Sequence, residues 1–365
     1  MIKILYVIPA LNAGGVETIV YNYISNLNTD KYSVDIACYS FYHGIYRTKF
    51  EDLGCRIFEI PSKKRLLKSY STLSAILKKN KYDIVHVHQD EKSLLPITCA
   101  WLNKVPVRIV HIHNANHGGI FTIINRKLSK LIFYKIANGF FACGMQAAKD
   151  FYGVKFNDKN IFIMRNSIDS NKFKYCEKNR KEIRKQYGFL DNDIIIGCVA
   201  RLSAEKNHIF LIGIMKELKK INNNYKIICW GEGELKGYIS KKIHDNKLEN
   251  DIIIAGARND IDKCYSGIDM LIMTSLYEGM PLTPLEALSN GLDVILSDTI
   301  TKEIELSNKV HFLKLGDGEK EWAKYIAKII PSRCESVNIG FYDLKESVLL
   351  LDKEYDRLLN IFKRK

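Results

Sequence analysis

The sequence has neither a closely spaced cysteine pair nor a long apolar run. Its nine cysteines are scattered along 365 residues, none of them forms a CxxC pair, and their number is odd. This usage predicts reduced thiols in the cytoplasm and argues against a structural zinc site. No stretch approaches the roughly 20 apolar residues that a membrane-spanning helix needs. The apolar start, residues 1–9, is too short for a signal peptide. We therefore expect a cytoplasmic protein, soluble or peripheral to a membrane.

Acidic residues are scarce in the first half of the chain. Residues 1–170 contain 23 Lys and Arg against 12 Asp and Glu, and they carry most of the net charge of +14. A basic half suggests an anionic partner, either nucleic acid or an acidic membrane surface. The sequence lacks RRM, KH and helix-turn-helix patterns, so we expect no nucleic-acid partner.

Hydrophobic residues make up 47% of the chain, which is enough for two domains with separate cores. Short apolar runs alternate with longer amphipathic runs, and the pattern restarts near residue 194. This repetition predicts an α/β protein with two Rossmann-like domains that face each other across a cleft. We place the domains at residues 1–168 and 169–347, with residues 348–365 packing back on the first domain.

Glycine pairs follow two of the predicted strands, and ligands of open parallel sheets bind at the carboxyl ends of strands. Gly14 and Gly15 follow the first strand, and Gly231 and Gly233 follow the strand at 225–230. A glycine backbone can approach a ligand closely. The helix after Gly15 offers free N–H groups to a phosphate. The alternative at each place is a simple tight turn.

Two cations, Arg201 and Lys206, follow the predicted strand at 194–199 and precede a helix. Arginine can bind a diphosphate through two nitrogens, and lysine adds a point charge. The alternative is a solvated surface pair, which would have little energetic value.

Two carboxylates, Glu278 and Glu286, follow the predicted strand at 269–274. Glu278 stands on a loop before a helix, where the helix N-terminus could support a phosphate contact. Glu286 has a structural alternative, because residues 283–286 (Thr-Pro-Leu-Glu) have the spacing of a capping box with Pro284 at the first helical position.

Possible metal ligands are few. His86 and His88 alternate on one predicted strand, and His111 and His113 alternate on another, so each pair shares a face. No carboxylate stands at ligand spacing, which argues against a metal, and His113 at a strand end is instead a candidate reacting group. Residues 191–193 (Asp-Asn-Asp) match the DxD pattern of metal-dependent glycosyltransferases, but they precede a strand and are explained by a polar turn.

Together these motifs resemble family 4 of the retaining glycosyltransferases, which have the GT-B fold. The resemblance spans almost the whole chain, and its most specific element is the glutamate pair Glu278-x7-Glu286. Residues 291–305, which include Ser297-Asp298-Thr299, are similar to the subgroup that builds capsular and exopolysaccharide chains in bacteria. Two departures are Asp293, where the family usually has Pro, and Asn207, where Gly usually follows the lysine.

The resemblance implies a role for each candidate residue. Four positions would be catalytic: His113 beside the transferred sugar, Arg201 and Lys206 on the donor diphosphate, and Glu278 at the donor sugar and phosphate. Nine positions would bind the donor: Gly14, Gly15, Gly231, Gly233, Asp260, Gly279, Met280, Leu282 and Glu286. Among these, Glu286 would accept hydrogen bonds from the ribose, and Asp260 would lie near the base.

The implied reaction needs no cofactor and no metal, because cations and helix N-termini can stabilise the departing diphosphate. No carboxylate is an obvious nucleophile, so we expect the acceptor hydroxyl to attack on the front face. The donor would be a nucleotide sugar, with UDP as the expected nucleotide, and it would carry a hexose or an N-acetylhexosamine.

The acceptor implied by the resemblance is lipid-linked or a growing glycan. Two segments, 63–68 and 126–133, mix cations with apolar side chains, as surfaces that bind anionic lipids do. They suggest peripheral binding at the inner face of the plasma membrane, although ordinary solvated helices would show the same composition. Two alternatives stay open: a non-catalytic nucleotide-sugar-binding protein, and an oxidoreductase with a nucleotide cofactor, which would need a GxGxxG motif that the first turn lacks.

Overall fold

The computed structural model of this chain describes residues 1–12, 15–39, 44–61, 65–113, 129–153, 161–278, 280–333 and 336–362. It divides the chain into two compact units. The first, here called the N-terminal domain, comprises Met1–Ser167 and Phe341–Lys365, and the second, the C-terminal domain, comprises Ile168–Gly340. Each domain has its own parallel sheet, so the predicted α/β fold with two Rossmann-like domains is confirmed.

Seven parallel strands form the sheet of the N-terminal domain, in the order β3-β2-β1-β4-β5-β6-β7. The strands are β1 Ile2–Ile8, β2 Tyr32–Cys38, β3 Arg56–Glu59, β4 Ile84–Val87, β5 Val107–Ile112, β6 Gly139–Ala142 and β7 Ile161–Ile163. The helices whose full bounds are described are α1 Gly15–Ile24, α2 Ile45–Asp52, α3 Leu66–Asn80, α4 Leu94–Leu102 and α5 Met145–Tyr152, and residues 129–136 are also helical. The direction of the strand order reverses between β1 and β4, and such a reversal is where open α/β sheets bind ligands.

Helices cover both faces of this sheet, which explains why its strands are continuous apolar runs. Alternate residues of β1 enter different cores. Ile4, Tyr6 and Ile8 belong to one buried cluster, whereas Leu5 and Val7 belong to another. A strand buried on both sides has no solvent face on which to alternate polar residues.

Six parallel strands form the sheet of the C-terminal domain, in the order β10-β9-β8-β11-β12-β13. The strands are β8 Ile194–Val199, β9 Tyr225–Trp230, β10 Ile252–Ile254, β11 Met270–Met273, β12 Asp293–Ser297 and β13 Val310–Leu313. The helices are α6 Glu177–Gln186, α7 His208–Ile221, α8 Lys236–Asp245, α9 Ile261–Gly267, α10 Leu282–Ser289 and α11 Gly318–Ile326. Here the order reverses between β8 and β11, and we call the carboxyl ends of these two strands the β8–β11 edge.

The last helix, α12 Leu344–Phe362, belongs to the N-terminal domain, which resumes at Phe341 and not at residue 348. Its apolar face repeats every three or four residues and is buried at Leu344, Val348, Leu351, Tyr355, Leu358 and Leu359. Lys31 Nζ donates to Asp352 Oδ1 at 2.7 Å and to Asp356 Oδ2 at 2.8 Å, which fixes the outer face of the helix. Neither α12 nor any other described helix is long and apolar enough to cross a membrane.

Candidate functional site

The β8–β11 edge brings Lys206 and Glu278 into contact. Lys206 ends a short 3-10 turn after β8, Glu278 follows β11, and the Lys206 ammonium donates a hydrogen bond to Oε1 of Glu278. The two side chains are only 19% and 16% exposed. Thr274 Oγ1 donates to the carbonyl oxygens of Lys206, at 3.2 Å, and Asn207, at 3.1 Å. The two strand ends are therefore tied together by side chain and by backbone.

Asn207 explains one departure from the family pattern. Its backbone lies in the left-handed region, with φ 54° and ψ 45°, and α7 begins at the next residue. Glycine adopts this conformation without strain, and asparagine is among the few other residues that tolerate it. The substitution therefore keeps the turn that presents Lys206.

The other departure, Asp293, lies at the opposite edge of the sheet. It begins β12, whereas the site follows the carboxyl ends of the strands. Its carboxylate is nearly buried and pairs with Lys309 Nζ at 3.0 Å and His311 Nε2 at 3.2 Å. These partners compensate a buried charge away from the candidate site.

Two hydroxyl groups fix the loop that carries Glu278. Ser297 Oγ donates to the Ser275 carbonyl oxygen at 2.6 Å, and Thr299 Oγ1 donates to the same oxygen at 2.7 Å. Both oxygen lone pairs are thereby used. The Ser297-Asp298-Thr299 motif therefore anchors the start of the loop after β11 from the neighbouring strand β12.

Glu286 does not cap its own helix, so the predicted capping box is wrong. Helix α10 begins at Leu282 after Pro281, and no side chain among the described residues caps it. Pro284 is consequently the third helical residue, where its missing N–H still falls within the unbonded first turn. Thr283 Oγ1 donates to the carbonyl oxygen of Val199, at the end of β8, at 3.3 Å.

The partner of Glu286 is Tyr265, which sequence patterns did not identify. Tyr265 is buried on α9, and its hydroxyl donates to Glu286 Oε2 at 2.5 Å. Burial raises the pKa of Glu286 to about 7, and the negative charge of Asp262 adds to the shift, while the hydrogen bond from Tyr265 opposes it. The carboxylate is thus held in one orientation and titrates near neutral pH.

Gly231 and Gly233 position the backbone around Arg201. A Cβ at Gly231, which has φ +156°, would lie 1.9 Å from the Ala200 carbonyl oxygen. A Cβ at Gly233 would lie 2.3 Å from the Leu202 carbonyl oxygen. Close approach of two chain segments therefore requires both glycines. Arg201 itself is 66% exposed, and its guanidinium contacts Glu234 Oε2 at 3.1 Å.

Asp260 is held by an arginine two residues earlier. Arg258 donates to both carboxylate oxygens of Asp260, each at 2.8 Å, and these bonds lower the pKa of Asp260. Arg258 also donates to the Tyr187 hydroxyl at 3.1 Å, as the Trp230 indole does. Asp260 therefore ends a fixed network beside the carboxyl end of β9.

Three more of the predicted donor-site residues, Gly15, Met280 and Leu282, lie at or near the start of a helix. Gly15 begins α1, and no described atom lies within 4 Å of the position that its Cβ would occupy. Leu282 is the first residue of α10, and Met280 just before it is nearly buried. Gly14 and Gly279 lie outside the described residues.

His113 follows β5 in the N-terminal domain. Its backbone N–H donates to Asp90 Oδ1 at 2.7 Å, and its Nε2 is 2.8 Å from Nδ1 of His88. Burial lowers the pKa of His113 and of His88, so both rings are neutral at physiological pH. The prediction that each histidine pair shares a face is confirmed, because the rings of the two strands form one stack.

The stack is poorly arranged for a metal ion. His86, His88 and His111 offer donor atoms within 4.8 Å of one another. Their ring planes, however, are inclined by only 18° to 40°, with centroids 4.3 to 5.3 Å apart. A metal lies close to the plane of each imidazole that binds it, and near-parallel rings at this separation do not share such a point.

A second group of donor atoms lies behind the β8–β11 edge. Cys198 and Cys229 are paired residues of β8 and β9, and His208 begins α7, with its Nε2 3.7 Å from Cys198 Sγ. A hydrogen bond from Cys229 and the neighbouring His208 hold the pKa of Cys198 well below its ordinary value. Thiolate and imidazole are zinc ligands. Spacing could not reveal this group, because strand pairing alone brings the two cysteines together.

The structure therefore joins some of the predicted site residues and separates others. Lys206 and Glu278 are in direct contact, and Thr283 ties the helix of Glu286 to the end of β8. Arg201 stands on the segment after the same strand, with Glu234 as its neighbour. His113 belongs to the other domain.

The chain matches two known families, each over one part of its length. Residues 179–340 match the family described as Glycosyl transferases group 1, and residues 13–172 match Glycosyltransferase Family 4. Together the two matches cover every described strand of the two sheets except β1.

The chain is also similar to individual glycosyltransferases. The chain is 29% identical over 335 residues to the putative glycosyltransferase EpsF of Bacillus subtilis, which covers 89% of this chain and 87% of the relative. It is 31% identical over 274 residues to the UDP-Gal:alpha-D-GlcNAc-diphosphoundecaprenol alpha-1,3-galactosyltransferase of Escherichia coli, covering 69% of this chain and 68% of the relative. Its fold is similar to that of Anabaena Alr3699/HepE in complex with UDP, with a TM-score of 0.78 at 17% identity over 100% of this chain and 98% of the other.

Proposed function

This chain belongs to family 4 of the glycosyltransferases, and we propose that it transfers a hexose or N-acetylhexosamine from a UDP-sugar with retention of configuration. The acceptor in this proposal is lipid-linked or a growing glycan, in bacterial capsule or exopolysaccharide synthesis. Two similarities support it. The E. coli relative is named for a UDP-sugar donor and a diphosphoundecaprenol-linked acceptor, and the Anabaena structure of the same fold contains UDP.

The observation that carries the proposal is the half-buried Lys206–Glu278 pair at the strand-order reversal of the C-terminal sheet. Open α/β sheets bind ligands at such a reversal. A diphosphate there would share the Lys206 ammonium with Glu278 and would lie beside the backbone segment that carries Arg201. Low exposure strengthens the interaction of the ammonium with an anion, because less water screens it.

The chemical role of these cations follows from the charge that develops. Cleavage of the anomeric C–O bond leaves negative charge on the diphosphate, and fixed cations stabilise it most when it is fully formed. Loss of one such donor costs roughly 3 kcal/mol in the transition state of other enzymes. In our proposal Lys206 and Arg201 supply this stabilisation without a metal ion, and the acceptor hydroxyl attacks on the face from which the diphosphate leaves.

Glu286 is proposed to bind the ribose of the donor. Tyr265 holds one carboxylate oxygen at 2.5 Å, which orients the other for ribose hydroxyl groups. An ionised carboxylate only accepts hydrogen bonds, whereas protonation makes one of its oxygens a donor and reduces its acceptor capacity. The pKa of about 7 therefore makes donor binding sensitive to pH in the physiological range.

Binding to an anionic membrane is proposed for the N-terminal domain. Leu66 and Leu67 at the start of α3 are 60% and 88% exposed, between Arg65 and Lys68. Leu131 and Ile132 are likewise exposed, beside Lys130. Apolar side chains flanked by cations suit the headgroup region of an anionic bilayer at the cytoplasmic side. Lys63, Lys64 and residues 126–128 of the predicted segments lie outside the described residues.

A donor screen tests the proposal directly. The full chain is heated with each of a set of nucleotide sugars, and its melting temperature is compared with that of the chain alone. We expect UDP-hexoses or UDP-N-acetylhexosamines to raise the Tm, because a ligand that binds only the folded state stabilises it. Transfer from the selected donor to an undecaprenyl-diphosphate-linked sugar would then be measured. Stabilisation by no UDP-sugar would contradict the proposed donor.

A further inference from the structure

The carboxyl end of β4 is followed by a buried histidine, His88, whose ring makes its only described hydrogen bond to His113. His88 is 1% exposed, and its Nδ1 lies 2.8 Å from Nε2 of His113. The other ring nitrogen of His88, Nε2, is buried and has no partner among the described residues. This asymmetry between the two nitrogens determines which of them carries the proton.

A neutral imidazole has one N–H and one bare nitrogen. If His88 were protonated on Nε2, a buried N–H would have no acceptor, and such orphaned donors are rare in folded proteins. If His88 is protonated on Nδ1, that N–H donates to His113, and only a lone pair stays unpaired. The second arrangement is the less costly one.

The proton on His113 then follows. His113 accepts at Nε2, so its own proton must lie on Nδ1. This is the ring nitrogen nearer to the backbone, and the backbone N–H of His113 donates to the carboxylate of Asp90 at 2.7 Å. The nearby negative charge favours an N–H on that side of the ring. Asp90 itself has φ 49°, an unusual conformation that this hydrogen bond helps to hold.

In the other two histidines of the stack, His86 and His111, the same reasoning gives the direction of the hydrogen bond. His111 Nε2 is also buried without a described partner, while its Nδ1 lies 3.2 Å from His86 Nε2. The same reasoning makes His111 the donor. His86 then carries its proton on Nδ1 and donates to the Tyr355 hydroxyl at 2.8 Å, and Tyr355 donates to Tyr6 at 2.7 Å. The rule that a buried N–H needs an acceptor therefore assigns the protons of both rings.

We infer that His88 is a positioning residue, which holds His113 in the Nδ1–H tautomer, the form in which His113 donates a hydrogen bond to a hydroxyl oxygen of a sugar. The part that concerns the sugar rests on the proposed function, whereas the tautomer does not. An imidazole in the opposite tautomer would present a lone pair to the same oxygen. In that case the sugar hydroxyl would have to rotate and donate the hydrogen bond to the ring.

The tautomer can be measured without any substrate. Full-length protein labelled with ¹⁵N-histidine gives long-range ¹H–¹⁵N correlations that distinguish protonated from bare ring nitrogens. The His113 signals are assigned by their loss in H113Q. We expect the wild type to show His113 protonated on Nδ1 and bare at Nε2. Protonation on Nε2 would overturn the inference.

Three variants separate the hydrogen bond from packing. H88L removes the donor, and we expect His113 to lose the fixed Nδ1–H signature and kcat/KM to fall roughly tenfold, the value of one hydrogen bond. H88N places an amide N–H near the position of Nδ1 and should restore both. H111L is the matched control, since His111 is equally buried and stacks on His113 with centroids 4.2 Å apart. It should leave the His113 tautomer unchanged.

Each possible result of these measurements either supports or contradicts the role of His88. An unchanged His113 signature in H88L, or a change of the same size in H111L, would overturn the role of His88. If H88L does not fold, the spectra of the wild type and of H88N still decide, because Nε2–H in either would contradict the inference. If the tautomer is as expected but no sugar is transferred, the proposed function fails and the positioning of His113 stands.

Discussion

The Tyr265 hydroxyl donates a hydrogen bond of 2.5 Å to Oε2 of Glu286, and this bond joins α9 to α10. It gives a glutamate of the family signature a fixed orientation, although burial raises its pKa to about 7. Sequence spacing had suggested that the same glutamate caps its own helix. The contact changes what should be expected of substitutions here, because the carboxylate is available to a ligand and is close to its titration point.

Donor-dependent activity should rise with pH through about 7. Ionised Glu286 accepts ribose hydroxyls, so kcat/KM for the donor should increase as the carboxyl loses its proton. Because the Tyr265 hydrogen bond lowers the pKa of Glu286, Y265F should move the midpoint to higher pH. Y238F is the control, since Tyr238 is exposed on α8. A midpoint that Y265F leaves in place would contradict this assignment.

The stability of the protein should depend on the same group with the opposite sign. Its folded-state pKa, about 7, lies above the ordinary value of 4.5. Between these values the folded state keeps a proton that the unfolded state has released, so this contribution falls as pH rises. E286Q stays neutral and should show a free energy of unfolding that depends less on pH in this window. Urea titrations at several pH values measure the difference, and a steeper dependence in E286Q would rule it out.

Replacing Lys206 should abolish most transfer. K206M removes a cation that would stabilise the leaving diphosphate, and a loss of roughly 3 kcal/mol corresponds to more than a hundredfold in kcat/KM. It also leaves Glu278, only 16% exposed, without its ammonium partner. Some stability should therefore be lost as well, and E278Q in the same chain should restore part of it but none of the activity. K220M, at an exposed surface pair, is the matched control. Comparable kinetic losses in the two methionine variants would exclude a specific role for Lys206.

Gly233 should not tolerate even alanine. The added Cβ would lie 2.3 Å from the Leu202 carbonyl oxygen, so the backbone beside Arg201 must move, at a cost of about 1–3 kcal/mol. Gly237 offers the control, because no described atom lies within 4 Å of its Cβ position on α8. G237A should be neutral or stabilising by up to about 1 kcal/mol. Thermal unfolding compares the two, and equal melting temperatures would show that the Gly233 segment can relax.

Membrane binding should depend on Leu66 and Leu67. Serine at both positions should reduce co-sedimentation with vesicles that contain phosphatidylglycerol, and added salt should reduce the binding of the wild type. L190S is the control, since Leu190 is similarly exposed in the C-terminal domain. Equal binding of the double variant and the wild type would place the membrane contact elsewhere or remove it.

The sheets could be predicted from the sequence because their strands are buried on both faces. A strand such as β1 has no polar alternation to obscure it, and its apolar run ends where the next motif begins. β7 could not be predicted in this way, because its three residues, Ile161–Ile163, are too few to show a period. The start of α10 was misplaced because the sequence of residues 283–286 fits a cap that the helix does not use.

The candidate site was only partly predictable for a similar reason. Residues near one another in sequence, such as Glu278 and Glu286, could be connected by spacing alone. Partners from different elements could not, because Tyr265 and Glu286 meet through packing of two helices. Likewise Cys198 and Cys229 meet only through the register of β8 and β9. The alternation of histidines indicated that each pair lies on one face of its strand. That β4 and β5 are neighbours in the sheet became clear only from the structure.

The return of α12 to the first sheet also affects how the protein is made. Tyr6 and Tyr355, 349 positions apart, share a hydrogen bond inside one domain, whereas residues 168–340 form the other domain without interruption. A nascent chain leaving the ribosome can complete the uninterrupted domain while the earlier one still lacks its covering helix. The part synthesised first is therefore the last to close its core, and early termination near the end of the message would leave an apolar sheet face open to aggregation.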